Sequence, residues 1–244
     1  MELATQNRKT LAVQVYEVVR NAIAQGVFGP GDLLSVTEIA ERLNVSRTPA
    51  REALLKLEEQ GIVKFERNRG ARILKTTAAD LQELFGLRVL LEIPAAYKAA
   101  GVATDKDIAT LGAIFDEVAN AYRAASSDVR EHLEPDVRFH KAIATIAGSK
   151  RLANILDNLF DQQMTADGSS LGYTRGIEEL IADHRNIYEG IAARAPAAAA
   201  RAMRDHLLIS SAALTRKETG READGGDFSA MFTDIFTLEE RDEI

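Results

Sequence analysis

The hydrophobic pattern changes period along this chain, and the change divides it into parts. Between residues 36 and 57 apolar residues recur at helical spacing in two short blocks, Ile39, Ala40 and Leu43, then Ala50, Ala53, Leu54 and Leu57. Ser35 with Glu38 forms an S-x-x-E capping box, which predicts a helix from about Val36. Asn44 and Val45 make the turn, and Ser46 can cap a second helix whose first turn tolerates Pro49, because an amide there has no intrahelical partner. Gly61 stops that helix. Ile62-Val63-Lys64-Phe65 and Ala71-Arg72-Ile73-Leu74 then read as strands joined by Arg67-Asn68-Arg69-Gly70, a turn with glycine for positive φ. The sum is the outline of a winged helix-turn-helix.

From Thr77 onward the pattern is helical almost throughout. Asp80, or the threonines before it, can cap a helix through Ala100, and further helical patterns cover 105–125, 129–147, 150–166, 176–194 and 196–217, divided by Gly, Ser and Pro signals. Six such helices predict a bundle. Lys75 to Ala79 reads as the linker. The expected fold is therefore mainly α, with an N-terminal winged helix-turn-helix over residues 1–76 and a C-terminal all-helical bundle over 77–217. After Lys217 the polar, glycine-bearing ETGREADGGD reads as a flexible link, and Phe228, Met231, Phe232, Ile235, Phe236 and Leu238 then recur at helical spacing. This amphipathic tail, within 218–244, either docks on the chain's own bundle or a second subunit, or binds a separate partner. Its acidic residues argue against a membrane anchor.

Charge sharpens the division. The chain carries 30 Lys and Arg against 37 Asp and Glu, a net −7, which looks wrong for a DNA binder. Residues 1–76 hold 12 against 9, leaving 18 against 28 for the remainder, so a head of +3 sits on a body of −10. Phosphate attracts the first and repels the second. No run reaches the ~18 apolar residues of a membrane span, and the polar MELATQNRKT start lacks a signal peptide's apolar core, so a cytoplasmic location is expected. With no cysteine there are no disulfides, thiolate metal sites or cysteine nucleophiles.

Two constellations carry chemistry. Arg47 and Arg51, four apart, project together from the second helix, suited to meeting guanine edges or phosphates in a major groove. For such a pair alone the solvated face of an ordinary helix hairpin is the favoured reading, but the basic turn that follows, with Arg67 and Arg69 placed to flank a minor groove or phosphates, favours DNA. In the helical part, Asp136 and His140 stand i, i+4 on one helix face. His184 and His206 lie eleven residues either side of Ala195, so two antiparallel helices would bring their rings level. Three histidines and a carboxylate form a ligand set for a divalent metal ion, zinc before nickel or manganese. His132, the remaining histidine, reads as a surface residue.

Residues 11–74 resemble the DNA-binding domain of the GntR family of bacterial repressors. The leading helix is followed by PG-x-x-L (Pro30, Gly31, Leu34), SRTP-x-RE-AL (Ser46 to Leu54), L-x-x-x-G (Leu57, Gly61) and RG at the wing tip (Arg69, Gly70). The resemblance implies contacts to bases or phosphates from Arg47, Thr48 and Arg51, and a glycine at Gly70 that lets the wing approach the groove. Thr37 stands where many members carry arginine, which puts a base contact at that position in doubt. The helical part is similar to the FCD ligand-binding domain of the FadR branch, in which an Asp and three His bind a metal beneath an effector cavity. That similarity implies a small carboxylate effector and assigns Arg88, in LFGLRVLLE, as its partner. A surface Arg88–Glu92 pair is the other reading of that arginine.

The reading that follows is a homodimeric transcription regulator, in the sense of a repressor, of a metabolic operon. It would bind a palindromic double-stranded operator and respond to a small organic acid. A metal-dependent enzyme acting on a carboxylate, or a repressor that senses the metal itself, would use the same ligands. No base near the motif supports the enzyme, and the basic head would then be unexplained.

Overall fold

The computed structural model describes residues 10–124, 130–165 and 176–219. The amphipathic tail at 228–238 lies outside these residues, as does the side chain of His132. The described residues form two compact units, 10–76 with 158–165, and 77–124 and 130–157 with 176–219.

In the first unit α1 (Leu11–Ala24), β1 (Leu33–Leu34), α2 (Val36–Arg42), α3 (Arg47–Glu59), β2 (Val63–Glu66) and β3 (Gly70–Ile73) follow in order. Ser35 Oγ accepts from the Glu38 amide at 3.4 Å, the Ser35 half of the expected capping box. Asn44 takes the left-handed conformation (φ 51°) that turns α2 into α3. Ser46 occupies the N-cap of α3, but its side chain makes no capping hydrogen bond, a departure from the sequence expectation. Val15, Val19, Ile39, Leu54, Leu57 and Ile62 are buried in one core. The strands shift by one residue from the sequence reading, and the two-residue β1 was missed. It pairs antiparallel with β3, giving the order β1-β3-β2. Two residues carry no periodicity, so only the sheet it joins reveals it. Gly70 (φ 121°) is required there: a Cβ would lie 2.4 Å from the Leu34 carbonyl oxygen.

The second unit holds α4 (Ala78–Val102), α5 (Asp105–Arg123), α6 (Arg130–Ile146), the first half of α7 (Lys150–Met164), α8 (Ile177–Ala192) and α9 (Pro196–Thr219). The last turns of α7, from Asn158, belong to the first unit, where Arg20 Nε donates to Asp161 Oδ2 at 2.6 Å. Thr77 caps α4 reciprocally with Asp80, so the helix begins two residues inside the expected linker. Thr104 and Asp107 repeat the box at α5. α9 packs along α4 and α8, and α5 along α6 and α8. A Cβ on Gly190 would stand 2.8 Å from the Ala199 Cα, so the α8–α9 pair closes to backbone contact. Arg194 (φ 53°) makes the turn between them and donates to Asp105 Oδ1 at 2.6 Å, tying the hairpin to the start of α5.

Candidate metal centre and nucleic-acid interface

α6, α8 and α9 converge where the sequence put its ligands. Asp136, His140, His184 and His206 are all buried, and one ligand atom from each lies within 4.8 Å of the others. The hairpin explains the level rings: His184 and His206 have centroids 4.5 Å apart, and His140 and His206 5.1 Å.

The donors are turned in a consistent sense. His184 Nδ1 donates to the Leu180 carbonyl at 2.9 Å, since a carbonyl oxygen only accepts, and Nε2 then faces Asp136 Oδ1 at 2.7 Å. His140 Nδ1 abuts Glu92 Oε2, and its Nε2 lies 3.9 Å from the same Asp136 oxygen. Both rings thus hold Nδ1 outward on an acceptor and turn Nε2 inward, the arrangement in which outer partners fix a metal-binding tautomer. Without a cation, His184 Nε2 against Asp136 requires a proton on that nitrogen. His206 Nδ1 is buried with no hydrogen-bond partner, the Asp183 carboxylate lying 3.8 Å away. A divalent ion bound by this set satisfies nitrogen, oxygen and charge together, so the residues fit one.

Burial and neighbouring charge set the protonation. Burial would raise Asp136, but the His184 contact and the surrounding imidazoles outweigh it and hold the carboxyl low. Burial would raise Glu92 too; Arg88 and His140 hold it down at about 2. Burial would lower His184, yet its contact with Asp136 raises it. His206 is pushed down to about 4, first by burial and then by His184, with Asp183 pulling the other way. Burial and then Asp136 push Tyr122 well up; its Oη lies 3.5 Å from Asp136 Oδ1.

The Arg88–Glu92 pair exists, with Arg88 Nε donating to Glu92 Oε1 at 2.6 Å, but it is buried, unlike the surface pair of the alternative reading. Glu92 is the residue that sequence reasoning undervalued. It was seen as the arginine's partner, whereas its other oxygen holds His140. The signal was available, since Glu92 shares its helix face with Phe85, Val89, Ala95 and Ala96, and a carboxylate among apolar residues must have buried partners. Tyr122 and Asp183 carried no comparable signal.

On the first unit, Arg47, Thr48 and Arg51 are all exposed on α3. The Arg51 guanidinium stands 5.4 Å from the centre of the Phe65 ring on β2. At the wing, Arg67 and Arg69 are exposed, and Arg69 pairs with Glu66 at 3.3 Å. Asn68 (φ 62°) as well as Gly70 supplies the positive φ of that turn.

Comparison with known proteins decides the family. Residues 83–208 match the FCD domain model, and residues 11–73 match the model of bacterial regulatory proteins, gntR family. The chain belongs to the FCD-bearing branch of the GntR family. It is a helix-turn-helix transcription regulator. Among the relatives of this GntR protein, the HTH-type transcriptional repressor RspR of Escherichia coli K12 is 29% identical over 209 residues, covering 85% of this chain and 91% of the relative. The Glc operon transcriptional activator of the same organism is 27% identical, covering 82% and 87%. A solved GntR regulator from Rhodococcus sp. RHA1 superposes with a TM-score of 0.72 at 25% identity, over 84% of this chain and 98% of that one. Among the described residues, no helix is long and apolar enough to cross a membrane.

Proposed function

We propose that this regulator is a cytoplasmic homodimeric repressor of a metabolic operon, holding one zinc ion per chain and releasing or gripping a palindromic operator as a small organic acid binds beside that ion. In this reading residues 1–76 read DNA, through Arg47, Thr48 and Arg51 on α3 and Arg69 and Gly70 at the wing, and residues 77–217 read the ligand. Asp136, His140, His184 and His206 hold the ion, and one observation carries the assignment: all four are buried and their ligand atoms converge within 4.8 Å of one another. Four nitrogen and oxygen donors favour zinc, with nickel or manganese as substitutes. When bound, the ion supplies a positive centre for a carboxylate oxygen.

Glu92 and the Leu180 carbonyl orient the two rings. Arg88, buried beside the same Glu92, is the counter-charge for the effector carboxylate. Repression is supported by the relative named as a repressor, and a metabolic target by the relative named for the Glc operon.

Native mass spectrometry of the protein purified from its own host without chelator tests the reading. The expected mass is a dimer carrying one metal ion per chain, and His184→Ala and His206→Ala should each lose the ion. A metal-free wild-type protein, or full occupancy in both variants, contradicts the ligand set.

A further inference from the structure

Arg51 and Glu58 stand seven residues apart on α3, which is about two helical turns, so they share one face of the helix. A single residue of the wing strand β2 contacts both. Phe65 donates its amide to Glu58 Oε1 at 2.7 Å, and the centre of its ring lies 5.4 Å from the Arg51 guanidinium carbon. β2 is an edge strand in the order β1-β3-β2, and this amide bond fastens it to the recognition helix. The Phe65 ring is half-buried and packed on the core of its unit, which makes it a fixed support. Arg51 above it is exposed and, among the described residues, forms no ion pair.

We propose that Phe65 is a positioning residue for DNA reading: its ring, held in place through Glu58, aims the Arg51 guanidinium at the groove and leaves its N–H donors for bases or phosphates. The chemistry of the support matters. A carboxylate in that place would hold the side chain equally well, but it would occupy donors and cancel charge, as Glu66 does for Arg72, which also donates to the Gly31 carbonyl. An aromatic face attracts the cation through its quadrupole and takes no N–H from it. Holding a long side chain before contact also reduces the rotamer freedom lost on binding. The proposal rests on the reading of Arg51 as a DNA contact and adds the residue that orients it. It also makes the wing strand a determinant of what the recognition helix reads.

Fluorescence anisotropy with the full-length protein tests it, on the duplex from upstream of its own gene and on a scrambled duplex of equal length. Phe65→Leu keeps an apolar side chain on the core but removes the ring. It should weaken binding to the upstream duplex at least about fivefold, the worth of a cation–π contact as the groove desolvates it. Binding to the scrambled duplex should stay within about twofold, since no charge facing phosphate is lost. Phe65→Tyr keeps the ring and should stay within about twofold of wild type on both. In an Arg51→Ala background Phe65→Leu should cost less than about twofold more, because a residue acting through the arginine then has nothing to position. Wild-type affinity in Phe65→Leu overturns the proposal. So does a loss that is equal on the two duplexes, shared by Phe65→Tyr, or undiminished in the Arg51→Ala background, since Phe65 would then serve only the fold of the wing. If Arg51→Ala alone binds the upstream duplex as wild type does, the reading of Arg51 itself fails, and the proposal with it.

Discussion

His206 shows how a single buried side chain links the centre to stability. Burial and the neighbouring His184 hold its folded value at about 4, whereas an unfolded histidine titrates near 6.5. Between these values the unfolded chain binds the extra proton. The stability contributed by a neutral His206 is therefore present above about pH 6.5 and lost as pH falls toward 4. His184 acts in the opposite sense: raised in the fold, its contribution is present below the unfolded value and lost as pH rises through its folded one. Asp136 and Glu92, both held low, add stability above the ordinary carboxylate range that is lost below it. In chelated protein, urea denaturation at pH 7 and pH 5 should show wild type losing more stability on acidification than His206→Gln. Equal losses would show that the buried neutral ring is not the acid-sensitive group. Which four residues converge was legible in sequence, because spacing along helices and symmetry about a turn are one-dimensional properties. What turns each ring was not: Glu92 reaches His140 across two helices, and the acceptor for His184 is a backbone carbonyl that no residue type announces.

At the scale of elements, the α8–α9 hairpin does the positioning. Gly190 admits the Ala199 backbone at a distance no Cβ tolerates, and His184 and His206 lie on the two helices it joins. Gly190→Ala should destabilise the protein by about 1–3 kcal/mol by forcing the helices apart. It should also weaken zinc binding, though it touches no ligand. Denaturation and zinc titration of the variant check both, and unchanged zinc affinity would show that the rings do not depend on the close approach. On α3, Arg51→Ala should cost about 1–3 kcal/mol of specific DNA binding without disturbing the core, because the guanidinium is exposed. Gel-shift titration on the DNA upstream of the protein's own gene measures this, and wild-type affinity would remove Arg51 from the interface. Helices were readable to within a few residues because caps and periodicity are local. The exceptions have physical causes: β1 exists only through pairing with β3, and Ser46 sits at an N-cap without using its hydroxyl.

For the whole molecule, residues 1–76 at +3 and the remainder at −10 set a basic stretch carrying the helix-turn-helix against an acidic one in a single chain. A ligand in the body changes the head's grip only through a difference in affinity between two arrangements of the protein. The coupling required is of the order of 1–3 kcal/mol, or about 5- to 150-fold in operator affinity. The most direct measurement is fluorescence anisotropy on the upstream DNA with zinc-loaded full-length protein, repeated across a panel of small hydroxy acids, sugar acids and amino acids. It is then repeated with Arg88→Ala and with zinc removed. At least one acid should shift wild-type operator affinity within that range, with the shift lost on chelation and weakened by Arg88→Ala. An acid that shifts operator affinity equally in wild type, Arg88→Ala and zinc-free protein would contradict the account, leaving the buried ion as a support for the bundle and not the reader of the signal.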